Sequence, residues 1–299
     1  MRPIDYLALL DRPTVSGKVT SVVGVVFLDP DTESRSAVRF IDDDGDTYGI
    51  KQIDGKIRTS SMPYLYDIAE GNVPGHEIVR ASGHNETVGT SWETVYDADI
   101  LKPWLTVAER LQITSTSAAD DGAPAGNGAR TVTISGLTAA LAPMTETVTM
   151  NGIANVLTDA SFFRVVRMDV ATAGVTGYNE GAITASNNAD TDVLAQMDAM
   201  ENRSHGAYYT VPAGHTLYIV NIVASEASTK GSKFAIFARE PGGLWVMIEA
   251  LGVSLDSPLP YPTEAPLIFP AGTDVEIRCR AILAGAIVAA SFYGWQETG

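Results

Sequence analysis

The sequence predicts a mostly β protein, multi-domain and antiparallel, closing on a C-terminal jelly-roll-like β-sandwich. Three observations predict it. Short runs rich in β-branched residues recur along the chain, and in its last third turn signals follow one another about every 8–12 residues, the spacing of sandwiches and jelly rolls. Two Asx-Gly pairs, Asp54-Gly55 and Asn151-Gly152, lie between alternating runs. Such pairs are the strongest short hairpin signal, because both central residues of the turn take positive φ. Finally, a Pro-Ala-Gly corner occurs twice, in "VPAGHTLYI" and "FPAGTDVEI", with an isoleucine seven residues after each proline (Pro212 to Ile219, Pro270 to Ile277). Proline suits the start of a strand, where no ladder donor is needed, and glycine relieves the corner.

The elements follow in order. Residues 1–62 read as a small N-terminal β unit. It contains "KVTSVVGVVFL", then a meander of "AVRFI", "TYGIKQI" and "KIRTS", with turns at "DDDGD" and Asp54-Gly55. A helical turn from Tyr64 to Glu70 is stopped by Gly71. Residues 63–108 otherwise show no sustained period and read as an irregular arm. The arm still carries apolar and aromatic groups, and Ile78, Val79, Trp92, Tyr96 and Trp104 are its interface candidates, expected to bury against a neighbouring copy. Residues 109–186 form a middle β domain from "RLQITST", "ARTVTISGL", "TETVTMNGIANVLTD" and "SFFRVVRMDV", with a loop at "SAADDGAPAGNGA" and a hairpin at Asn151-Gly152. Residues 187–299 are the sandwich. It opens on "DTDVLAQMDAMEN", read as a short helix with Val193, Leu194, Met197 and Met200 on one face.

Composition excludes several functions. With 20 Lys and Arg against 36 Asp and Glu, the formal charge is −16, and no basic run occurs. A nucleic-acid partner is therefore not expected, since phosphates are held by clustered cations. Cys279 is the only cysteine, so no intrachain disulfide and no thiolate metal site is expected. The opening residues lack the pattern of a signal peptide, and no apolar run reaches the length of a membrane span.

Catalytic patterns are equally scarce. The four histidines, His76, His84, His205 and His215, come without HExxH, a triad context or a nucleophile elbow, and structural or surface roles are expected. Asp42, Asp44 and Asp46 alternate and make a weak Ca²⁺ candidate. An EF-hand loop would need Gly and Glu where the chain has Thr47 and Ile53, so a solvated hairpin tip is the plainer reading. "GAPAGNG" lacks the Lys-Ser/Thr finish of a phosphate loop. No catalytic residue, cofactor or metal is assigned. Paired carboxylates could still serve a polysaccharide hydrolase, and Trp92, Trp104, Trp245 and Trp295 could line a glycan platform.

Four segments taken together resemble virion structural proteins of tailed double-stranded DNA bacteriophages: "PYLYDIAEGNVPGH", "GHNETVGTSWETVYD", "GARTVTISGL…TETVTMNG" and "YTVPAGHTLYI…FPAGTDVEIRCRA". The similarity runs from about residue 63 to residue 295, leaving residues 1–60 as an added docking or exposed module. The resemblance implies a non-enzymatic component of the virion, made in the bacterial host cytoplasm. It implies a place in head decoration, neck and collar, or tail fibre. The expected partners are copies of the same chain, a trimer first, and other virion proteins, with a host surface glycan if the protein is a receptor-binding tip. Neither nucleic acid nor membrane is among them.

Overall fold

The computed structural model describes residues 38–41, 47–50, 62–254 and 259–299. It is 54% strand and 2% helix, and its sheets are antiparallel, as the sequence predicts. The chain divides into two units, residues 1–67 and 68–299. In the first, β1 (Val38–Ile41) pairs antiparallel with β2 (Thr47–Ile50), as expected for strands flanking an acidic turn. Asp42, Asp44 and Asp46, "KVTSVVGVVFL" and the Asp54-Gly55 turn lie outside the described residues. The expected helical turn is α1 (Met62–Ala69), and it ends where Gly71 takes a φ of 74°. No helix among the described residues is long and apolar enough to cross a membrane.

Residues 68–299 carry the remaining strands. In chain order these are β3 (His76–Val88), β4 (Glu93–Thr94), β5 (Gln112–Ser115), β6 (Ala129–Leu137), β7 (Pro143–Thr149) and β8 (Val156–Leu157). Next come β9 (Arg164–Ala173), β10 (Ile183–Ser186), β11 (Val193–Met197), β12 (Tyr208–Thr210), β13 (His215–Glu226) and β14 (Ser232–Arg239). The last four are β15 (Val246–Ser254), β16 (Leu259–Phe269), β17 (Asp274–Ala281) and β18 (Ala286–Thr298).

The sandwich faces a sheet ordered β16-β13-β18-β3 against one ordered β12-β17-β14-β15, with β4 also paired to β17. The two Pro-Ala-Gly corners start β13 and β17, one strand in each sheet. Gly214 and Gly272 have φ of 71° and 80°, the left-handed region that glycine enters without strain. Ile219 and Ile277 are fully buried in the shared core, with Phe234, Phe292 and Leu217. The repeated corner is thus one turn used at the start of two strands that face each other across one core.

The segment read as an irregular arm does not leave its chain. Its first half is β3, a 13-residue strand paired along its length with β18. The alternation was hard to see because small and polar groups carry much of it: Ala81, Gly83 and Asn85 point inward where a periodic strand would show Val or Ile. Val79 belongs to the sandwich core and Tyr96 is fully buried. For these two, packing inside the chain replaces the expected packing against a neighbour.

The middle unit is an insertion within the sandwich, between β4 and β12. Two sheets, β11-β10-β5-β8 and β7-β6-β9, enclose a second core around Ile113, Ile134, Phe162, Met168 and Met197. The stretch read as a helix is β11, hydrogen-bonded to β10, so the unit extends past residue 186. Leu194 and Met197 are buried there, while Met200 lies beyond the strand and is exposed. Asn151-Gly152 is not a hairpin between its flanking strands. Gly152 has the expected positive φ, but β7 pairs with β6 and β8 pairs with β5. The turn instead crosses from one sheet to the other, and Gly152 donates to the Asp120 carbonyl. Asp120 in turn organises the long loop: its buried carboxylate accepts from Ser115 Oγ and from the amides of Ala129, Glu180 and Gly181 at 2.6–2.9 Å.

Truncation of Ile277 to alanine should cost about 2–5 kcal/mol, the range for deleting a large buried aliphatic group. Urea denaturation measures it, and a loss below about 1 kcal/mol would contradict the shared core.

Candidate functional site

The chain leaves the sandwich after β4 and returns before β12, and the two passages run side by side. Ala207 donates to the Val95 carbonyl at 2.8 Å, Val95 to Ile277 at 3.0 Å, and Ile277 to Ala207 at 2.8 Å. Gly206 bridges both Ser82 and Tyr96. The crossing needs glycine at residue 83: a Cβ there would lie 2.2 Å from the Val95 carbonyl oxygen and 2.9 Å from Gly206 Cα. His84 follows Gly83, Asp97 follows Tyr96, and His205 precedes Gly206. The backbone crossing therefore brings three titratable side chains together from distant parts of the sequence.

One ligand atom each from His84, Asp97, Glu201 and His205 lies within 4.8 Å of all the others. His84 Nδ1 is 3.3 Å from Asp97 Oδ1. His205 Nδ1 is 3.6 Å from Asp97 Oδ2 and 3.0 Å from Glu201 Oε2. On the far side of the His84 ring, Nε2 faces Asp198 Oδ2 at 3.5 Å, and Gln196 Nε2 donates to Asp198 Oδ1 at 2.8 Å. The Asp97 side chain is wholly buried, the others partly open. Its Oδ2 accepts from the His205 amide at 2.6 Å, whereas Oδ1 receives no hydrogen bond of good geometry despite the nearby His84 ring.

These contacts set the protonation. Its hydrogen bond with Asp198 raises His84 to about 9, against the opposing effect of burial, with Asp97 and Glu201 adding to the rise. His205 is raised by Asp97 first and Glu201 next. Desolvation pushes the Asp97 carboxyl up, while His84 holds Asp198 below the usual carboxylate range.

Behind this cluster, the outward face of β17 is covered. Asp274, Glu276 and Arg278 point away from the core and are nonetheless buried. Asp274 receives Arg164 of β9 through two bonds at 2.8 and 2.9 Å, Arg239 of β14 at 2.6 Å and Thr210 Oγ1 at 2.6 Å. Glu276, pushed up by burial, accepts from Thr94 Oγ1 at 2.6 Å and Arg278 Nε at 2.7 Å. Lys102 reaches the Leu194 carbonyl under the Tyr208 ring, and full burial lowers it to about 7.

The interface candidates join this layer. Trp92 packs edge-on against Phe237 beneath Arg280, and Trp104 packs against Tyr208 and Trp245 with Arg164 over its ring. Ile78 is half-buried on β3, and Val79 and Tyr96 are internal. The tryptophans expected to offer a glycan platform thus have intrachain partners, and Trp295 stacks on Tyr218. Sequence reading missed His84, Asp97, Asp198, Glu201 and His205 as a group. Glu201 and His205 stand four apart, but nothing local links them to His84.

No family model matches the sequence, and no curated protein matches it. Solved structures of infectious bursal disease virus are similar in part. The Gt strain is 12% identical over 79% of this chain and 78% of that one, with a TM-score of 0.21. A VP2 subviral particle of the same virus is 13% identical over 79% and 78%, with a TM-score of 0.23. Likeness at this level carries no argument about function.

In EDTA, His84 should make stability pH-dependent. Its pKa is about 9 in the fold, raised from the ordinary imidazole value of 6.5. A raised pKa means the contribution is fully present below about 6.5 and is lost as pH rises through about 9. The stability gap between wild type and His84→Gln in urea should therefore shrink from about pH 6 to about pH 9.5. A gap constant with pH would contradict the placement of Asp97, Asp198 and Glu201 around the ring.

Proposed function

We propose that this chain is a non-enzymatic structural component of a tailed-phage virion that assembles as a symmetric homo-oligomer. The observation that carries the reading is an apolar edge on the sandwich. β15 and β16 close their respective sheets, and among the described residues each has one partner strand. Leu244 is 85% exposed, Val246 56% and Ile268 59%, with Met247 and Ile248 also exposed. Between the two edges runs a groove of about 550 Å³, lined by Leu244, Val246, Ile248, Leu267 and Ile268.

An unpaired edge beside contiguous apolar surface is a site of further association unless something covers it. In a symmetric assembly the same patch is used by every copy, so modest contacts add up. The acidic surface keeps the free chain soluble until that happens. The sequence resemblance to phage virion proteins supplies the setting. A trimer on the head, neck or tail is the arrangement we favour. The glycan-binding reading is weaker, because the tryptophans it needs are packed against this chain's own side chains.

Light scattering tests it. Wild type at micromolar concentration should show a multiple of 31.7 kDa. The double variant Leu244→Asp, Ile248→Asp should run as a monomer with an unchanged circular dichroism spectrum. A wild-type monomer at that concentration would overturn the proposal.

A further inference from the structure

We propose that His84, Asp97, Glu201 and His205 bind a divalent transition-metal ion of the Zn²⁺ type, which fastens the inserted unit's return strand to the sandwich. This goes beyond the assembly reading and does not depend on it.

The donor set has the chemistry. Two imidazole nitrogens and two carboxylates suit Zn²⁺ and its neighbours. Ca²⁺ takes six to eight oxygens and Mg²⁺ keeps much of its water. The spacing also fits. A tetrahedral ion with bonds of about 2.0–2.1 Å holds its ligand atoms about 3.3 Å apart. With one oxygen from Asp97, His84 Nδ1–Asp97 Oδ1 stands at 3.3 Å and His205 Nδ1–Glu201 Oε2 at 3.0 Å, and all four ligand atoms lie within 4.8 Å of one another, a spread that small side-chain rotations would close around an ion.

Two further observations point to a ligand. Asp97 Oδ1 is buried and accepts no hydrogen bond of good geometry, which is costly for a carboxylate oxygen unless a cation completes it. His84 is also oriented as metal-bound histidines are. Asp198 faces its Nε2, and Gln196 fixes Asp198. A carboxylate behind the ring holds the proton on Nε2 and leaves Nδ1 for the ion. The partial exposure of His84, Glu201 and His205 leaves a path for the ion to enter.

The position gives the ion a role. His84 belongs to β3 and Asp97 follows β4, both parts of the sandwich. Glu201 and His205 lie on the chain returning from the insertion. An ion holding all four would close a loop of about a hundred residues, where loop-closure restraint is worth most.

The test uses the full chain, stripped with EDTA and dialysed free of it. Calorimetric titration with ZnCl₂ should show one ion per chain, with no comparable binding of Ca²⁺ or Mg²⁺. Co²⁺ should give the visible absorption of a tetrahedral site with nitrogen and oxygen ligands. Zn²⁺ at a hundredfold excess over its Kd should raise the melting temperature by about 5 °C or more. His84→Ala and His205→Ala should weaken binding at least about 100-fold, and Asp198→Asn about 10-fold. His76→Ala and His215→Ala should leave it unchanged. Where a ligand variant fails to fold, the Co²⁺ spectrum of the wild type and the Asp198→Asn affinity decide. The proposal is overturned if stoichiometric uptake is lacking, if Ca²⁺ binds as well as Zn²⁺, or if the loss follows His76 or His215 instead.

Discussion

Asp274 holds the junction on which the arrangement of residues 68–299 depends. It opens β17, and its side chain is 3% exposed, yet it sits at the surface of the sandwich core rather than inside it. Arg164 approaches from the inserted unit, Arg239 from β14 and Thr210 from β12. Three strands of the sandwich and one of the insertion therefore meet on one side chain. Burying a carboxylate is costly, and removing one partner of such a network leaves an uncompensated charge, at a cost of about 3–5 kcal/mol. Arg164 is equally committed: its Nη1 also donates to the carbonyls of Leu105 and Phe163. Displacing the insertion would strand both groups.

The aromatic and cationic layer around Asp274 follows from that constraint. The outward face of a sandwich sheet is ordinarily wet, with polar side chains in solvent. Here the insertion and the segment leading to it cover β17, so the polar side chains of that face must find partners in a dry space. Arg278 lies against Phe237 and Trp245, and Arg239 against Trp245 and Trp104. Guanidinium groups tolerate such surroundings because they are planar and weakly hydrated and they stack on rings. Cys279, on the opposite face, is buried in the sandwich core, where desolvation pushes its thiol up and leaves it an inert core group.

Legibility in the sequence divided along physical lines. The strands and the paired corners could be read because their signals are local. Alternation, β-branching and Pro-Ala-Gly act within a few residues, and "ARTVTISGL" became β6 with the bounds read for it. β3 hides in the sequence because the middle of its inward face is Ala81, Gly83 and Asn85, small or polar groups of which Gly83 is required by the close approach of the crossing chain. β11 reads as a helix in the sequence because a five-residue strand buried at Leu194, Ala195 and Met197 has no strict period. The His84 cluster was not legible at all. Its members gain their meaning only when Val95 and Ala207 run side by side on β17, a contact between residues more than a hundred apart in sequence.

The claim that the inserted unit and the sandwich form one cooperative body through Asp274 is most directly tested by scanning calorimetry of wild type and Asp274→Asn. Both pieces of residues 68–299 should unfold together in a single wild-type transition. The variant, which keeps the shape of the side chain but loses its charge, should split that transition in two and lower the first. A wild type that already melts in two steps across this region, or a variant that melts as one step at the wild-type temperature, would contradict it.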